Sequence, residues 1–331
     1  MEGGVCVKKR LSLLAACVLC LNTATGCSSS KDSIEDGSGI KIYLTVSKAD
    51  TFKTSLVNAA REEAERLGAQ IVTEDAQGVM ETQVAQIKKA ASEGYDVILC
   101  NPVNVDTALE LEALAKGIPI VFYNSCPDDN RLKAGKYVYV GSSEADAGQY
   151  QAEYILDNSK DKNEINIVII EGEAGHSATK GRTSSLLSVL KKSDKTVNIV
   201  FKDTADWDQK KAKELFKIFL ATGQPYDFVA SNNDSMALGV LDAYAESNTD
   251  PAAAPVLGID ATTDGCAAVK DGRMAFTVYQ PAKEQGECVI KAAIALVHGE
   301  PLSSIEGATE DNKYVYVPFE KVTADNVSNY E

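Results

Sequence analysis

Short apolar runs alternate with amphipathic stretches of helical length from residue 40 onwards. The first part of this pattern predicts strands at 40–46, 70–72, 96–100, 118–123 and 137–140. Between these strands, apolar side chains recur at helical spacing, most clearly from about Phe52 to Gly68. Strands that alternate with helices of this length predict parallel βαβ units and a doubly wound α/β sheet.

The same alternation begins again at about residue 145 and predicts a second sheet. Its strands are expected at 165–170, 197–201, 226–230, 256–259 and 275–278, and its helices begin near Ala145, Thr179, Trp207 and Met236. No long Pro/Gly linker separates the two runs, so we expect two lobes joined by short crossings near Ser142, Tyr279 and Glu310. The predicted first lobe comprises residues 40–142 and 280–310, and the second comprises 143–279 and 311–331.

Length and composition agree with this picture. The chain has 331 residues, which suits two lobes of ordinary domain size. Its content of 44% hydrophobic and 24% charged residues is typical of a soluble globular protein. The formal net charge of −15 disfavours nucleic-acid binding, because an acidic surface repels phosphate groups.

The amino terminus has the pattern of a secretion signal. A basic segment at 8–10 precedes an apolar segment at 11–21 that is short for a membrane span. Small residues then precede Cys27, and residues 27–39 form a polar tether. This pattern resembles a bacterial lipoprotein signal, which implies that residues 1–26 are removed, that Cys27 carries lipid, and that the protein is anchored outside the cytoplasm.

Four cysteines lie beyond the predicted signal and lipid site: Cys100, Cys126, Cys266 and Cys288. They are far apart in sequence, with no CxxC spacing and no neighbouring histidine, so a zinc site is not expected.

Cys17 is the alternative lipid site. The residues before it fit the lipoprotein pattern better, but they leave too short an apolar core.

Polar and aromatic side chains follow the predicted strands at their carboxyl ends, where open α/β sheets bind ligands. They are Asp50, Phe52 and Asn124 in the first lobe, His176, Arg182, Trp207, Asn233 and Asp260 in the second, and Gln280 at a crossing. Carboxylates, amides and a guanidinium can hydrogen-bond several hydroxyl groups at once, and aromatic faces stack on C–H-rich rings. The set therefore predicts a sugar site between the lobes.

Eight of these nine residues, all but Gln280, also have a purely structural interpretation as a helix cap, a turn residue or a core residue. In the cap interpretation, Asp50 and Asp260 cap helices, while His176 and Arg182 cap a helix and face water. The turn interpretation applies to Asn124 and Asn233, and the core interpretation to Phe52 and Trp207. The sugar interpretation is favoured because all of these residues fall at the same ends of strands in two consecutive lobes.

Six short motifs together resemble the bacterial galactose/glucose-binding proteins of ATP-driven sugar import. They are FYN at 122–124, YVG at 139–141, GEAGH at 172–176, DTADWD at 203–208, NNDSMA at 232–237 and GIDA at 258–261, and the similarity covers essentially all of residues 40–331. The resemblance implies a two-lobed type I periplasmic binding protein that closes on one aldohexose. It implies that Phe52 and Trp207 sandwich the sugar ring, while the hydroxyl groups and ring oxygen are bound by Asp50, Asn124, His176, Arg182, Asn233 and Asp260.

Two positions differ from the pattern that the resemblance implies. The family has an aspartate that contacts the anomeric hydroxyl where this chain has Ala178, and a hinge-side asparagine where it has Gln280. Galactose or glucose is the first expectation, and a pentose or a glycoside stays an alternative.

The resemblance also implies a calcium loop before the first strand of the second lobe. Oxygen-bearing side chains recur there at alternate positions: Asp157, Ser159, Asp161 and Asn163. Asp227 matches the distant carboxylate that completes the calcium site in the family. However, Lys162 stands where the turn glycine belongs, and one extra residue separates the loop from the strand. A solvated polar turn is therefore favoured over a calcium site, and no cofactor is required.

We predict a lipid-anchored, monomeric binding protein that delivers a monosaccharide to the membrane permease of an ABC importer. A sensing role, in which the protein presents bound sugar to a chemoreceptor or a sensor kinase, is the alternative. An enzyme is not expected, since no GxSxG, P-loop or GxGxxG motif occurs and Ala178 removes a candidate acid near the anomeric carbon. A DNA-binding repressor would need a basic surface, which this acidic chain does not offer.

Overall fold

A six-stranded sheet forms the centre of the first half of the protein. The computed structural model describes residues 36–250 and 254–330. Every strand pair in this sheet is parallel, in the order β2-β1-β3-β4-β5-β11. The strands are β1 (Lys41–Val46), β2 (Gln70–Asp75), β3 (Val97–Cys100), β4 (Ile120–Tyr123), β5 (Tyr137–Gly141) and β11 (Tyr314–Tyr316).

Helices cover both faces of this sheet. They are α1 (Thr51–Arg66), α2 (Met80–Glu93), α3 (Ala108–Leu114) and α9 (Ala282–His298). Alternate residues of β1 enter different apolar clusters, because successive side chains of a strand point to opposite faces. Ile42 and Leu44 pack in the cluster that includes α1 and α9, whereas Tyr43 packs with α2 and α3. We call this sheet and its four helices the first half.

The second half is built in the same way on a four-stranded parallel sheet with the order β7-β6-β8-β9. Its strands are β6 (Glu164–Glu171), β7 (Thr196–Thr204), β8 (Phe228–Ser231) and β9 (Val256–Leu257), beside an antiparallel pair of β10 (Thr277–Tyr279) and β12 (Glu320–Val322). Ile167 and Ile169 pack with α4 (Glu144–Asp157) and α5 (Ser177–Lys191). Val168 and Ile170 pack on the other face, with α6 (Gln209–Ala221), α7 (Asp234–Glu246) and α8 (Thr263–Lys270).

These two sheets confirm the predicted doubly wound α/β class, and the structure also contains four elements that the sequence did not predict: α8, α9, β11 and β12. Helix α9 is absent from the prediction, although it contributes much of the core that it shares with α1. The assignment of all of residues 311–331 to the second lobe is wrong for β11, because Tyr314–Tyr316 pairs with β5 in the first sheet. The third crossing therefore lies between β11 and β12, beyond Glu310, and the other lobe boundaries stay predictions.

The predicted signal peptide, Cys27 and residues 28–35 of the tether lie outside the described residues. Within residues 36–250 and 254–330, no helix combines the length and the apolar character that crossing a bilayer requires.

The contact between α1 and α9 gives a test of the first half. A Cβ atom at Gly286 would lie 2.5 Å from the Leu56 carbonyl oxygen and 2.8 Å from the Ala60 nitrogen. We expect Gly286→Ala to lower the free energy of unfolding by about 1–3 kcal/mol, since overpacking outweighs the helix preference of alanine. Urea denaturation measures this change. The control is Lys283→Ala on the exposed face of α9, with an expected change within about 0.5 kcal/mol, and equal effects of the two variants would contradict the packing described.

Candidate functional site

One cavity of about 250 Å³ brings together all of the residues that the sequence predicts for ligand binding. They are Asp50, Phe52, Asn124, His176, Arg182, Trp207, Asn233, Asp260 and Gln280. Further lining residues lie within two positions of a predicted one: Thr51, Lys53, Ala178, Asp208, Gln209, Ser235 and Thr262. The cavity therefore lies between the two halves, and the roles of its residues as ligand contacts stay predictions.

Sheet topology explains why residues so distant in sequence meet here. Asp50 follows β1, His176 follows β6 and Asn233 follows β8. In each sheet the chain order reverses beside these strands, between β1 and β3 in the first and between β6 and β8 in the second. At such a reversal the loops diverge to opposite faces and leave a crevice at the carboxyl ends of the strands.

Three cavity residues have left-handed backbone conformations, which side chains other than glycine adopt at a cost of roughly 1–3 kcal/mol each. The φ angles are 60° at Asn124, 65° at Trp207 and 122° at Asp260. The surrounding structure holds them, for example through the hydrogen bond from the Asp260 amide to the Val278 carbonyl at 2.7 Å. Three residues that line the cavity thus adopt a costly backbone conformation, although positive φ angles also occur elsewhere in the described residues.

Arg182 is the polar centre of the cavity. Its buried guanidinium donates from Nε to Glu144 Oε2 at 2.6 Å and from Nη1 to the Asn232 carbonyl at 2.6 Å. From Nη2 it donates to Gln280 Oε1 at 3.1 Å, and Asp260 Oδ1 lies 3.7 Å from Nη1. One side chain of α5 thus links α4, the loop after β8, the loop after β9 and a crossing, and the interpretation that Arg182 faces water is wrong.

Burial controls the ionisation of the acids around Arg182. It raises the pKa of Glu144, and it raises the pKa of Asp260 well above the usual value, while the Arg182 charge opposes both shifts. Gln280 Nε2 has no hydrogen-bond partner among the described residues, and the side chain lines the cavity. A ligand with hydroxyl groups would satisfy such a donor and also donate to the Asp260 carboxylate.

Glu144 is an important residue that the sequence analysis missed. It begins α4 three positions after β5 ends, at the crossing near Ser142. The strand-end rule that selected the other residues would have selected Glu144 if it had been applied to β5.

Asp234 supports the site in a way that the sequence prediction did not include. Its buried carboxylate accepts hydrogen bonds from the Thr262 amide at 2.8 Å and from Thr277 Oγ1 at 2.6 Å. Burial raises the pKa of Asp234 to about 7. The carboxylate ties the start of α7 to the loop that carries Asp260 into the cavity.

Several predicted site residues cap a helix as well as line the cavity. Asp50 accepts from the Lys53 amide at 2.8 Å and pairs with its ammonium at 2.9 Å, and Asn233 accepts from the Met236 amide at 3.0 Å. His176 accepts through Nδ1 from the Ala178 amide at 3.1 Å. The cap and site interpretations are therefore compatible for these residues. For Asp260 the cap interpretation is wrong, because Thr262 caps α8.

Phe52 and Trp207 come from different halves, and both rings line the cavity. Each is only partly buried and packs against the core of its own half. The apolar pattern predicts a helix from about Trp207, but α6 begins at Gln209 and is capped by Asp208. The indole lies against Gly172, where a Cβ atom would be 2.1 Å from Cη2, and the Arg182 guanidinium lies 5.9 Å from the ring centroid.

The residues of the calcium loop that the resemblance implies do not fit a metal ion. Lys162 pairs with Asp227 Oδ1, while Oδ2 accepts from the Asn166 amide at 2.7 Å. The Lys195 ammonium donates to the Ser159 carbonyl at 2.8 Å and to the Lys162 carbonyl at 2.5 Å. Asp157 is exposed and lies 3.6 Å from Lys160, and the side chains of Asp161 and Asn163 are exposed. Lysine ammonium groups neutralise this turn, and the described residues contain no cluster of three His, Cys, Asp or Glu side chains suited to a metal.

Comparison with known proteins gives a consistent family assignment. The family model for the periplasmic binding protein domain matches residues 42–301. A protein of Rhizobium meliloti whose name gives rhizopine as its proposed ligand is 32% identical over 286 residues, which cover 85% of this chain and 89% of that protein. A D-galactose/methyl-galactoside binding periplasmic protein of Haemophilus influenzae is 27% identical over 326 residues, covering 93% and 95% of the two chains.

A solved structure agrees with these relatives. An ABC transporter solute binding protein of Bacillus halodurans with bound myo-inositol superposes with a TM-score of 0.79 at 32% identity. The match covers 89% of this chain and 98% of that chain. The family match over residues 42–301 spans every residue that lines the cavity, from Asp50 to Gln280.

The contact between Gly172 and Trp207 can be tested without any ligand. Gly172→Ala would place a methyl group inside the indole, so the ring must leave its position. Trp207 is the only tryptophan of the chain, and its fluorescence emission should move towards the wavelength of solvated indole while the far-ultraviolet circular dichroism is retained. Ala174→Gly, at an exposed position two residues further along the same loop, is the control and should leave the emission unchanged. An unshifted spectrum for Gly172→Ala would place the indole elsewhere.

Proposed function

This chain belongs to the periplasmic binding protein domain family, and we propose that it captures one small cyclic polyol between its two halves. It is a sugar-binding protein of the ABC importer type rather than an enzyme, because the relatives that cover most of its length are solute-binding proteins. The family works outside the cytoplasm. We further propose that lipid on Cys27 anchors the chain to the membrane, where the permease of the importer receives the ligand.

One observation carries this proposal: side chains from many separate strand ends converge on a single cavity. Amide, guanidinium and carboxylate groups surround the cavity, and they can donate to and accept from several hydroxyl groups of one ligand. Phe52 and Trp207 offer apolar ring faces from opposite halves, which suits the C–H faces of a pyranose or a cyclitol. Because each half supplies only part of the set, the complete site exists only when the halves are together, and the ligand favours that state.

The ligand is a six-membered ring polyol in this proposal. D-Galactose or D-glucose remains the first candidate, in agreement with the galactose-binding relative. A second candidate, myo-inositol, is supported by Ala178, which lines the cavity and whose side chain has no polar atom to receive an anomeric hydroxyl. Inositol has no anomeric carbon, and a solute binding protein with 32% identity to this chain holds it.

The same closed form could serve a sensor, since a chemoreceptor or sensor kinase would also read the outer surfaces of the two halves. Transport is the favoured role because the solved relative with 32% identity is an ABC transporter component. We propose that the protein acts as a monomer, since the cavity is completed by the two halves of one chain.

A thermal-shift panel of D-galactose, D-glucose, D-xylose, D-ribose, methyl galactoside and myo-inositol tests the function. A ligand at about 100 times its Kd stabilises the native state by about 2.7 kcal/mol, which raises Tm by several degrees. We expect a shift with at least one six-membered ring polyol, and no shift with Trp207→Ala. Tyr150→Ala, an aromatic truncation outside the cavity, is the control and should keep the shift. A wild-type protein that responds to none of these compounds in this panel or in calorimetry would refute the proposed function.

A further inference from the structure

Two hydrogen bonds join the first half to the second half beside the cavity. Ser125 Oγ lies 2.6 Å from His176 Nε2, and the Cys126 amide donates to Ser177 Oγ at 2.9 Å. Ser125 and Cys126 follow β4 of the first sheet, whereas His176 and Ser177 stand at the start of α5 in the second half. Two consecutive residues on each side thus form a pair of parallel contacts across the interface.

Both partners of this contact are held by their own half. The Ser125 amide donates to the Tyr123 carbonyl at 2.7 Å, and the Tyr139 hydroxyl donates to the Asn124 carbonyl at 3.3 Å. On the other side, the His176 amide donates to the Glu173 carbonyl at 3.2 Å. The two segments are therefore positioned before they meet, and little side-chain freedom is lost when the bonds form.

The imidazole of His176 has no free nitrogen for a ligand. Nδ1 accepts from the Ala178 amide, so the neutral ring carries its proton on Nε2 and donates it to Ser125 Oγ. The edge of the ring contacts Trp207, with the ring centroids 5.3 Å apart and the planes at 76°. His176 thus lines the cavity while both of its polar atoms are used by protein groups.

We propose that Ser125, Cys126, His176 and Ser177 form a latch that stabilises the closed arrangement of the two halves, and that His176 is a positioning residue rather than a contact to the polyol. This inference rests on the proposed function, because a latch has a role only where the cleft opens and closes. Because the latch stabilises the closed arrangement without contacting the ligand, it raises the affinity for every ligand by the same factor. The choice among ligands is left to Asp260, Arg182 and the aromatic rings.

The latch also makes closure sensitive to pH. In the closed form, burial of His176 and the charges of Lys53 from α1 and Arg182 from α5 lower the pKa of the imidazole to about 3. In an open form the hydrated ring would return towards its usual pKa of about 6.5. Only the open form then binds a proton between these values, so affinity should fall as the pH falls below about 6.5. Buried Asp260 and Glu144 have raised pKa values and act in the opposite direction, so the His176 contribution is the difference between wild type and a His176 variant.

A double-mutant cycle tests the latch, with titration calorimetry of D-galactose and myo-inositol as the probes. Ser125→Ala removes the acceptor, and His176→Asn keeps a side chain that can cap α5 but cannot reach Ser125. We expect each single variant to weaken the affinity about five-fold, as for one hydrogen bond, and the double variant to be no weaker than either single variant within about two-fold. The ratio of the two Kd values should be unchanged, and the loss of affinity at low pH should be reduced in His176→Asn. Ser193→Ala, which loses a hydroxyl bond to the Leu190 carbonyl at the far end of α5, is the matched control and should bind as wild type.

A direct contact between His176 and the ligand would give a different pattern of affinities. If His176 contacts the ligand directly, His176→Asn will weaken binding by the same factor in the wild-type and Ser125→Ala backgrounds, and it will change the ratio of the two Kd values. An equal effect of His176→Asn in both backgrounds would overturn the latch, and so would a changed ratio of the two Kd values. Both results would leave the proposed function intact.

A second measurement needs no ligand and therefore separates the two proposals. Acrylamide quenching of Trp207 reports access to the cavity, and Ser125→Ala should raise the quenching constant of the ligand-free protein above that of wild type and Ser193→Ala. If neither polyol binds to the wild type but quenching rises as expected, the proposed ligand class fails and the latch stands. Equal quenching in all three proteins would overturn the latch.

Discussion

The buried charge of Arg182 is the constraint on which the candidate site depends. A guanidinium that is removed from water must be compensated by several acceptors, or the fold loses several kcal/mol. Here Glu144, the Asn232 carbonyl and Gln280 all accept from it, and the Asp260 carboxyl group lies 3.7 Å from Nη1. The acceptors belong to separate elements, so the same compensation that makes the charge tolerable also fixes the second-half wall of the cavity.

The remaining wall follows from this arrangement. Asp234 holds the Thr262 amide and thereby the loop with Asp260, while Gly172 leaves the space in which the Trp207 indole lies beside Arg182. The first half contributes fewer groups, chiefly Asp50, Phe52 and Asn124. The cavity is therefore asymmetric, because the second half supplies most of the polar side chains that line it. In the proposed function, such a division lets a ligand meet one half first and then draw the other half onto it.

Cationic side chains also satisfy oxygen atoms elsewhere in the chain. At the turn before β6, the ammonium groups of Lys162 and Lys195 meet a carboxylate and two carbonyl oxygens where the family resemblance implied calcium. A covalently attached positive charge needs no supply from solution, and here it pairs with Asp227 and with two main-chain carbonyls. The turn thus keeps its shape by a different interaction from the one that its spacing implied.

The sequence by itself determined the class of the fold and most of the cavity. Apolar periodicity predicted the strands, and the rule that loops at the carboxyl ends of parallel strands meet at one edge brought Asp50, Asn124, His176 and Asp260 to the same place. These signals are local, since each depends on a few neighbouring residues. Only the tertiary structure decided which partner each side chain takes: Glu144 for Arg182, Ser125 for His176, Lys162 for Asp227, and β5 for the short strand β11. Such pairings join residues far apart in the chain, and burial decides their strength, so no pattern along one segment can specify them.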